Sequence, residues 1–349
     1  MNKKIKKLIA FTALTGTAMY AFNKFIDYTV NQRGLTLDEN ENYYVWKNGT
    51  IYYEKKGIGT PLLLIHDLNP IASSYEWSKV IDKLSETHTV YAIDLLGCGK
   101  SDKPAISYVN YLYVQLVNDF INHVIQQKTE LIVTGESFTF AVMAARMNPS
   151  MIGKITAINP TDITHNVQSP TRCSEQIKHV FELPIIGTFI YNLVANKKTI
   201  QRQFRDKYYY DTTQISYTLP DIYYETAHLQ GSNGKYLYAS MLGKYTNINI
   251  IHALKFIDNP IHLITTDASS DEIKNQKCKS GAYQADWKTC YKCYYSTCPS
   301  QFPNIDWSAS SCTDDVWVPK YCTDTCYETV ITCSRGYTKL NRNYCYKIN

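Results

Sequence analysis

Apolar and polar positions form blocks of different period between residues 42 and 160. Short apolar runs, in PLLLIHD, HTVYAID, ELIVTG and GKITAINP, have the composition of strands that are buried on both faces. Between these runs, residues 73–84, 108–125 and 138–147 place apolar residues three or four apart, which is the spacing of a helix. Short buried strands joined by helices predict an α/β fold with a doubly wound, mostly parallel sheet.

Segments on either side extend this pattern. Two strand-like runs in YYVWKNGTIYYEKKG flank Asn48-Gly49, a pair of residues typical of a hairpin turn. From residue 161 to about residue 259 helical spacing dominates, which predicts a helical cap inserted over the strand ends. Within the cap, the uncharged run LPIIGTFIYNLVAN is expected to pack as core or pocket wall rather than against a membrane. PIHLITTD then predicts a further strand, residues 261–266, that ends at Asp267.

The N-terminus combines basic residues with an apolar run. Four lysines precede residues 8–22, which carry no charge, and Lys24 follows them. This layout is typical of a secretory signal, so residues 1–30 are predicted to be an uncleaved signal-anchor that attaches the chain to a membrane. By the positive-inside rule the remainder would then lie outside the cytoplasm, at the cell surface. A cleaved signal, giving a secreted protein, and a packed helix are the alternatives, because a spanning helix needs about 20 apolar residues.

Length and charge narrow the possibilities further. The 349 residues exceed the usual size of one domain, so we expect a large domain at residues 42–270 and an appendage at residues 271–349. Charged residues make up 19% of the chain and the net charge is +5, without a stripe of lysine and arginine interleaved with aromatic residues. A nucleic-acid partner is therefore not expected.

Cysteine distinguishes the appendage from the rest of the chain. Nine of the 11 cysteines lie in residues 271–349, a segment that has a single leucine. Because such a segment cannot build a continuous hydrophobic core, we predict a module stapled by disulfides. Zinc is the alternative, since Cys290-x2-Cys293 and Cys322-x3-Cys326 approximate the spacing of zinc knuckles; we expect neither a metal nor a cofactor. The exposed, tyrosine-rich module is a candidate for binding carbohydrate or another cell-surface ligand.

Candidate chemistry lies where the predicted strands end. The run GESFT, residues 135–139, differs by one residue from the G-x-S-x-G turn in which a strand bends sharply into a helix. In that turn the serine, here Ser137, is exposed, and the next backbone N–H points at the oxyanion. Gly135 fits the turn, whereas the β-branched Thr139 crowds the helix against the strand. The alternative is that Ser137 only caps the helix that follows.

Three motifs together resemble the α/β-hydrolase fold family over about residues 42–267: LLLIHDLNP, IDLLGCGKSDKP and the G-x-S turn. The resemblance implies that Ser137 is the nucleophile. It also implies an oxyanion hole formed by the backbone N–H groups of Phe138 and Leu68, with His66 supporting the loop. Asp67 replaces the family's glycine, and its carboxylate would oppose a developing oxyanion unless the side chain turns away.

The resemblance further implies an acid and a histidine base. Asp267 and Asp162 both fit the acid, and each is alternatively a loop-capping aspartate. In the family the base follows the acid in chain order, but the last of the eight histidines is His262, so the catalytic histidine is unknown. His66 and His262 are expected to be structural. The histidines of the cap region are His165, His179, His228 and His252.

The leading hypothesis is a serine hydrolase that acts on small esters or related acyl or lipid-like substrates through Ser137. The alternative is a non-catalytic pseudoenzyme or surface-binding protein, because the family's last strand, histidine and last helix are missing. The join near residues 268–275 falls in the middle of the fold, which points to a recombined gene or to a chimeric sequence of two reading frames. Haloalkane or epoxide chemistry is disfavoured, since relatives with those activities place aspartate at this position.

Overall fold

The sheet at the centre of the molecule has seven strands in the order β1-β2-β4-β3-β5-β6-β7. The computed structural model describes residues 3–34, 41–161, 168–205 and 215–264, with four short strands nearer the C-terminus. The strands of the sheet are β1 (Asn42–Trp46), β2 (Gly49–Lys56), β3 (Thr60–Ile65), β4 (His88–Ile93), β5 (Thr129–Thr134), β6 (Ile152–Ile158) and β7 (Ile261–Ile264). Strands β3 to β7 pair in parallel, and the antiparallel pairs of this sheet are β1–β2 and β2–β4, so the predicted, mostly parallel fold class is confirmed.

Helices cover both faces of the sheet and insert between β6 and β7. They are α1 (Lys3–Asn31), α2 (Ile81–Ser85), α3 (Asn110–Phe120), α4 (Ser137–Met147), α5 (Arg172–Glu182), α6 (Ile186–Val194), α7 (Lys197–Gln203), α8 (Leu219–Ser232), α9 (Gly234–Leu242) and α10 (Ile251–Leu254). Of these, α5 to α10 follow β6 and precede β7, in the region where the sequence predicts a cap.

Alternate residues of the central strands enter different layers. Leu63 and Ile65 of β3 pack on one face with α3 and α4, whereas Leu62 and Leu64 pack on the other face with Trp77. Because successive side chains of a strand point to opposite faces, a strand covered on both sides must be apolar throughout. This explains why the sequence shows continuous apolar runs rather than alternation.

The hairpin is confirmed, but its turn lies one residue earlier than predicted. Trp46 pairs with Gly49 in the β1–β2 register, so Lys47 and Asn48 form the turn and Gly49 begins β2. Gly49 has a φ of +146°, and a Cβ there would lie 2.9 Å from the Cβ of Asp102. Glycine is therefore needed for close approach of the loop after β4.

The helix predicted over residues 73–84 is a 3₁₀ turn, Ser74–Trp77, followed by the short helix α2. Two contacts with distant parts of the chain account for the break. The Ser74 amide donates to Asp94 Oδ1, and Trp77 is buried against the sheet together with Ile81. Holding both points keeps this segment from running as one regular helix.

Helix α1 packs on the cap along its C-terminal half. The ring centroids of Phe22 and Phe189 lie 5.3 Å apart, and Asn23 Nδ2 donates to the Ile185 carbonyl oxygen at 3.0 Å. Val30 is buried among apolar side chains of α6, α7 and α8. Arg33, just after the helix, donates to Asp221 Oδ1 at 2.6 Å. Within the described part of the chain, no helix has both the length and the apolar character needed to cross a membrane.

The uncharged run of the cap is core on one face only. Tyr191 and Asn192 are buried, as expected, but Leu183, Ile186 and Leu193 are exposed. The expectation that the run packs as core or pocket wall is therefore wrong for its outer face, because α6 lies at the surface of the cap and has no layer above it in the described structure.

Four short strands lie beyond residue 264. β8 (Tyr283–Gln284) pairs with β9 (Cys290–Tyr291), and β10 (Tyr337–Asn341) pairs with β11 (Tyr344–Lys347), both antiparallel. The remaining residues of 265–349, including Cys293, Cys322 and Cys326, lie outside the described residues, so the disulfide and zinc predictions stay predictions. The two cysteines that precede this segment, Cys98 and Cys173, are free thiols.

Candidate active site

The loop after β4 wraps around the buried carboxylate of Asp94. Asp94 Oδ1 accepts a hydrogen bond from the Ser74 amide at 2.5 Å, and Oδ2 accepts one from the Lys100 amide at 2.7 Å. Gly99 has a φ of +50°, and a Cβ there would lie 2.0 Å from Asp94 Oδ2. The chain crosses so closely over the carboxylate that only glycine fits. The Asp-x-x-Gly-x-Gly motif is thus the scaffold that positions the neighbouring strand ends.

The same loop is hydrogen-bonded to the cap. Ser101 Oγ donates to the Asp94 carbonyl oxygen at 2.6 Å and accepts from the Tyr52 amide at 2.9 Å. Gln230, which interrupts α8 with a φ of +56°, accepts from the Lys103 amide at 2.9 Å and donates to the Ser101 carbonyl oxygen at 3.3 Å. These bonds hold α8 over the carboxyl ends of the strands, where sites form in parallel sheets.

His66 follows β3 and is fully buried. The Leu95 amide donates to His66 Nε2 at 3.0 Å, so Nδ1 carries the proton and lies 2.7 Å from the Asp67 carbonyl oxygen. Burial lowers the pKa of His66. A neutral ring with both nitrogens engaged ties the end of β3 to the end of β4, and this geometry is that of a supporting residue rather than of a base.

Ser137 begins α4 three residues after β5 ends, beside the end of β3. Its hydroxyl donates a hydrogen bond to the His66 carbonyl oxygen, and the residue is fully buried, not exposed as the sequence predicts. The left-handed residue of this turn is Gly135, with a φ of +54°, and not Ser137. The helix therefore starts at the serine itself, which turns the hydroxyl towards the strand end instead of out over it.

The Asp67 carboxylate occupies the space that a side chain at residue 135 would need. Asp67 Oδ1 accepts a hydrogen bond from the Glu136 amide at 2.8 Å. A Cβ at residue 135 would lie 2.0 Å from the same oxygen. The carboxylate that replaces the family's glycine thus binds a backbone N–H of the turn that carries Ser137.

Two further carboxyl groups surround Asp67. The Asp67 amide donates to Glu76 Oε2 at 3.3 Å, and Glu136 directly precedes Ser137. Partial burial, reinforced by the negative charge of Asp67, raises the pKa of Glu76 to about 7 and that of Glu136 to about 7. We call Asp67, Glu76 and Glu136 the carboxyl cluster. Near neutral pH each of the two glutamates is therefore partly protonated.

Of the two predicted oxyanion donors, Phe138 lies in the first turn of α4 and Leu68 lies in the loop after β3. The Phe138 amide makes a long bond of 3.4 Å to the Gly135 carbonyl oxygen, and Leu68 follows Asp67 with its side chain buried in the core. Thr139 is accommodated because its hydroxyl donates to the Glu136 carbonyl oxygen at 2.9 Å and accepts from Asn110 Nδ2 at 3.0 Å. Its methyl and hydroxyl groups are therefore packed within the first turn of α4.

Both acid candidates, Asp162 and Asp267, lie outside the described residues, as does His165. The acid therefore stays a prediction. Within the described residues, the Ser137 hydroxyl pairs with the His66 carbonyl oxygen and with no histidine ring.

His228 is fully buried within the cap. Its Nδ1 lies 2.7 Å from the Tyr224 carbonyl oxygen, and its ring centroid lies 4.3 Å from that of Tyr224. Burial lowers the pKa of His228 to about 4, and its Nε2 has no hydrogen-bond partner among the described atoms. The tyrosine contacts give this histidine a structural place in the cap core.

The carboxyl cluster is the part of the site that sequence reasoning missed. Glu76 sits in a stretch that reads as an ordinary helix with a solvated glutamate, and no local pattern marks it. Asp67 was a visible departure, but its bond to the Glu136 amide depends on the adjacency of β3 and β5. That adjacency is a property of the sheet order.

The comparisons with known proteins agree with this architecture. A family model described as "alpha/beta hydrolase fold" matches residues 60–199. Among solved structures, an alpha/beta hydrolase fold protein from Burkholderia ambifaria is 18% identical with a TM-score of 0.51, covering 66% of this chain and 81% of that chain. A likeness at this identity shows the fold.

Two curated relatives are similar over part of their length. A soluble epoxide hydrolase from Corynebacterium sp. (strain C12) is 29% identical over 133 residues, 38% of this chain and 46% of that protein. A haloalkane dehalogenase from Agrobacterium fabrum is 26% identical over 119 residues, 34% of this chain and 38% of that protein. The chain spans less than half the length of these curated relatives.

Proposed function

Because the chain belongs to the α/β-hydrolase fold superfamily, we propose that it is a hydrolase of small esters or related acyl or lipid-like substrates, with Ser137 as nucleophile. The observation that carries the proposal is the position of Ser137. It stands at the N-terminus of α4, three residues after the end of the inner strand β5, and its hydroxyl is bonded to the residue that follows the neighbouring strand β3. Ligands of parallel α/β sheets bind at this edge.

The proposed reaction needs a movement and a base. The Ser137 hydroxyl must rotate away from the His66 carbonyl oxygen to face a substrate, and its proton must go to an acceptor. As the acceptor we propose a glutamate of the carboxyl cluster, since Glu136 directly precedes Ser137 and a raised pKa of about 7 suits a general base at neutral pH. The oxyanion of the tetrahedral intermediate would accept hydrogen bonds from the backbone N–H groups of Phe138 and Leu68.

The first prediction tests the nucleophile. The purified full chain should react with a fluorophosphonate probe and hydrolyse a soluble short-chain p-nitrophenyl ester, and Ser137→Ala should lose both activities by at least about 100-fold. Ser150→Ala, the same change at an exposed serine, is the matched control and should keep both. Equal labelling of the unmodified chain and Ser137→Ala, measured by intact mass, would remove Ser137 from the mechanism.

A second candidate function is a non-catalytic binding protein. It is favoured by the complete burial of Ser137 and by the Asp67 carboxylate at a position that the family keeps as glycine. For such a protein neither the unmodified chain nor the variants would react with the probe. A cell-surface ligand for residues 271–349 belongs to this candidate, and binding to immobilised glycans tests it.

We also propose a membrane-associated, extracytoplasmic location, supported by the lysine-led uncharged run at the N-terminus and by the cysteine content of residues 271–349. The second prediction uses Cys173, an exposed thiol on α5. A membrane-impermeant maleimide should label this residue in intact cells, and Cys173→Ser should remove that label in a peptide map. Labelling that requires cell lysis would place the domain in the cytoplasm.

A further inference from the structure

Exposed apolar side chains lie on the N-terminal half of α1 and on residues 183–193 of the cap, which adjoin the C-terminal half of that helix. Six of them, each between 39% and 70% exposed, define what we call the α1–α6 surface: Phe11, Leu14, Leu183, Ile185, Ile186 and Leu193. Helix α1 and α6 adjoin through the Phe22–Phe189 ring contact and the bond from Asn192 Nδ2 to Asn23 Oδ1 at 3.0 Å. A grouping of large apolar side chains on the outside of a protein marks a contact surface.

The exposure of residues 183–186 is built into the cap. Gly187 lets α6 abut the end of α5, since a Cβ there would lie 1.9 Å from the Phe181 carbonyl oxygen. From beneath, the buried Lys235 Nζ donates to the Leu183 carbonyl oxygen at 2.9 Å and to Thr188 Oγ1 at 3.0 Å. From the side, Asn23 binds the Ile185 carbonyl oxygen. With the backbone held at these points, the side chains of Leu183 and Ile186 face outwards.

The charge at the N-terminal end of α1 has one sign. Lys4, Lys6 and Lys7 are exposed at the N-terminal end of α1, and the helix has no acidic residue before Asp27. Lysines next to exposed apolar side chains on a helix match the interface of a bilayer that contains anionic lipids, where the lysines meet headgroups and the apolar groups enter the acyl boundary.

We propose that the α1–α6 surface binds to the surface of a lipid bilayer that contains anionic lipids. Helix α1 lies along the headgroup region with its lysines among the phosphates, and the loop of residues 183–186 inserts beside it. This binding does not rest on the proposed hydrolase activity, because its residues are separate from Ser137 and the carboxyl cluster.

The test is sedimentation of the purified full chain with vesicles. Binding to mixed phosphatidylglycerol–phosphatidylcholine vesicles should exceed binding to pure phosphatidylcholine and should weaken as salt is raised. The double change Lys6→Gln and Lys7→Gln should lower the partition coefficient about 30-fold. Ile186→Glu should lower it at least about 10-fold, because an apolar group is replaced by a charge in the interface.

Matched controls separate the surface from general effects. Ile58→Glu makes the same change at an isoleucine that is 91% exposed in the β2–β3 turn, and it should bind as the unmodified chain does. Lys83→Gln with Lys128→Gln removes two exposed lysines outside the α1–α6 surface, and this double variant should also bind vesicles as the unmodified chain does. Ser137→Ala should bind fully, whatever its effect on hydrolysis. Circular dichroism and the urea midpoint confirm folding of each variant.

Three outcomes would overturn the proposal. Equal binding to neutral and anionic vesicles would remove the role of the lysines. Unchanged binding by Ile186→Glu would remove the loop from the interface. A dimer in light scattering that Ile186→Glu dissociates, without vesicle binding, would assign the surface to a second copy of the chain.

Discussion

Single residues decide the geometry of the turn that carries Ser137. Gly135 supplies the left-handed φ, and its missing side chain leaves room for the Asp67 carboxylate. Asp67 in turn accepts the Glu136 amide, so the departure from the family's glycine is compensated by a hydrogen bond. Asp67 and Thr139, which depart from the family's pattern in two different motifs, thus each have hydrogen-bond partners in the folded chain.

The third prediction tests this pairing. Gly135→Ala should destabilise the protein by about 2–4 kcal/mol, because it adds a strained left-handed alanine and a contact with Asp67 Oδ1. Gly153→Ala, where the nearest atom would lie 3.5 Å from the new Cβ, is the control and should change stability by less than about 1 kcal/mol. Urea denaturation of the purified chain measures both.

Adding Asp67→Ala to Gly135→Ala separates the two causes. The double variant should recover part of the loss relative to the sum of the single changes, because the contact disappears and only the backbone strain remains. Strict additivity would show that the two side chains do not compete for the same space.

At the scale of elements, the sequence predicts best where local pattern and burial agree. Strands β3 to β6 are recognisable because both faces of each are covered, which makes the runs continuous. The segment of residues 73–84 was misread as one helix because its break depends on Asp94, a residue of another element. The turn of the hairpin shifted because Gly49 serves the approach of Asp102 rather than the turn.

The outer face of α6 was misread for a related reason. LPIIGTFIYNLVAN has enough apolar residues for a buried segment, and periodicity alone does not reveal which face is covered. Only the position of α6 beside α1 shows that Tyr191 enters the cap core while Leu183 and Ile186 do not. The same position makes this face available for the lipid contact proposed above.

For the molecule as a whole, groups with shifted pKa values set how stability depends on pH. The folded state raises the pKa of Glu76 and of Glu136 to about 7, so it holds protons that the unfolded chain releases near its usual pKa of about 4.3. Stability from these groups is present at low pH and falls as pH rises to about 7. His66 and His228 act oppositely, since their lowered pKa values make stability rise with pH below about 6.5.

The fourth prediction follows from the two opposing slopes. In the unmodified chain the contributions of the histidines and of the glutamates offset one another below about pH 6.5. Between about pH 6.5 and 7.5 only the glutamates still titrate, and they lower the free energy of unfolding. Glu76→Gln with Glu136→Gln should remove this decline and gain on the order of 2 kcal/mol per carboxyl at about pH 8, with little change at about pH 5. Glu86→Gln, the same change at an exposed glutamate, should leave the profile of urea midpoints unaltered. A double variant that is no more stable than the unmodified chain at the higher pH would mean that these carboxyls are not held protonated by burial and by Asp67, and the assignment of the base to the carboxyl cluster would lose its support.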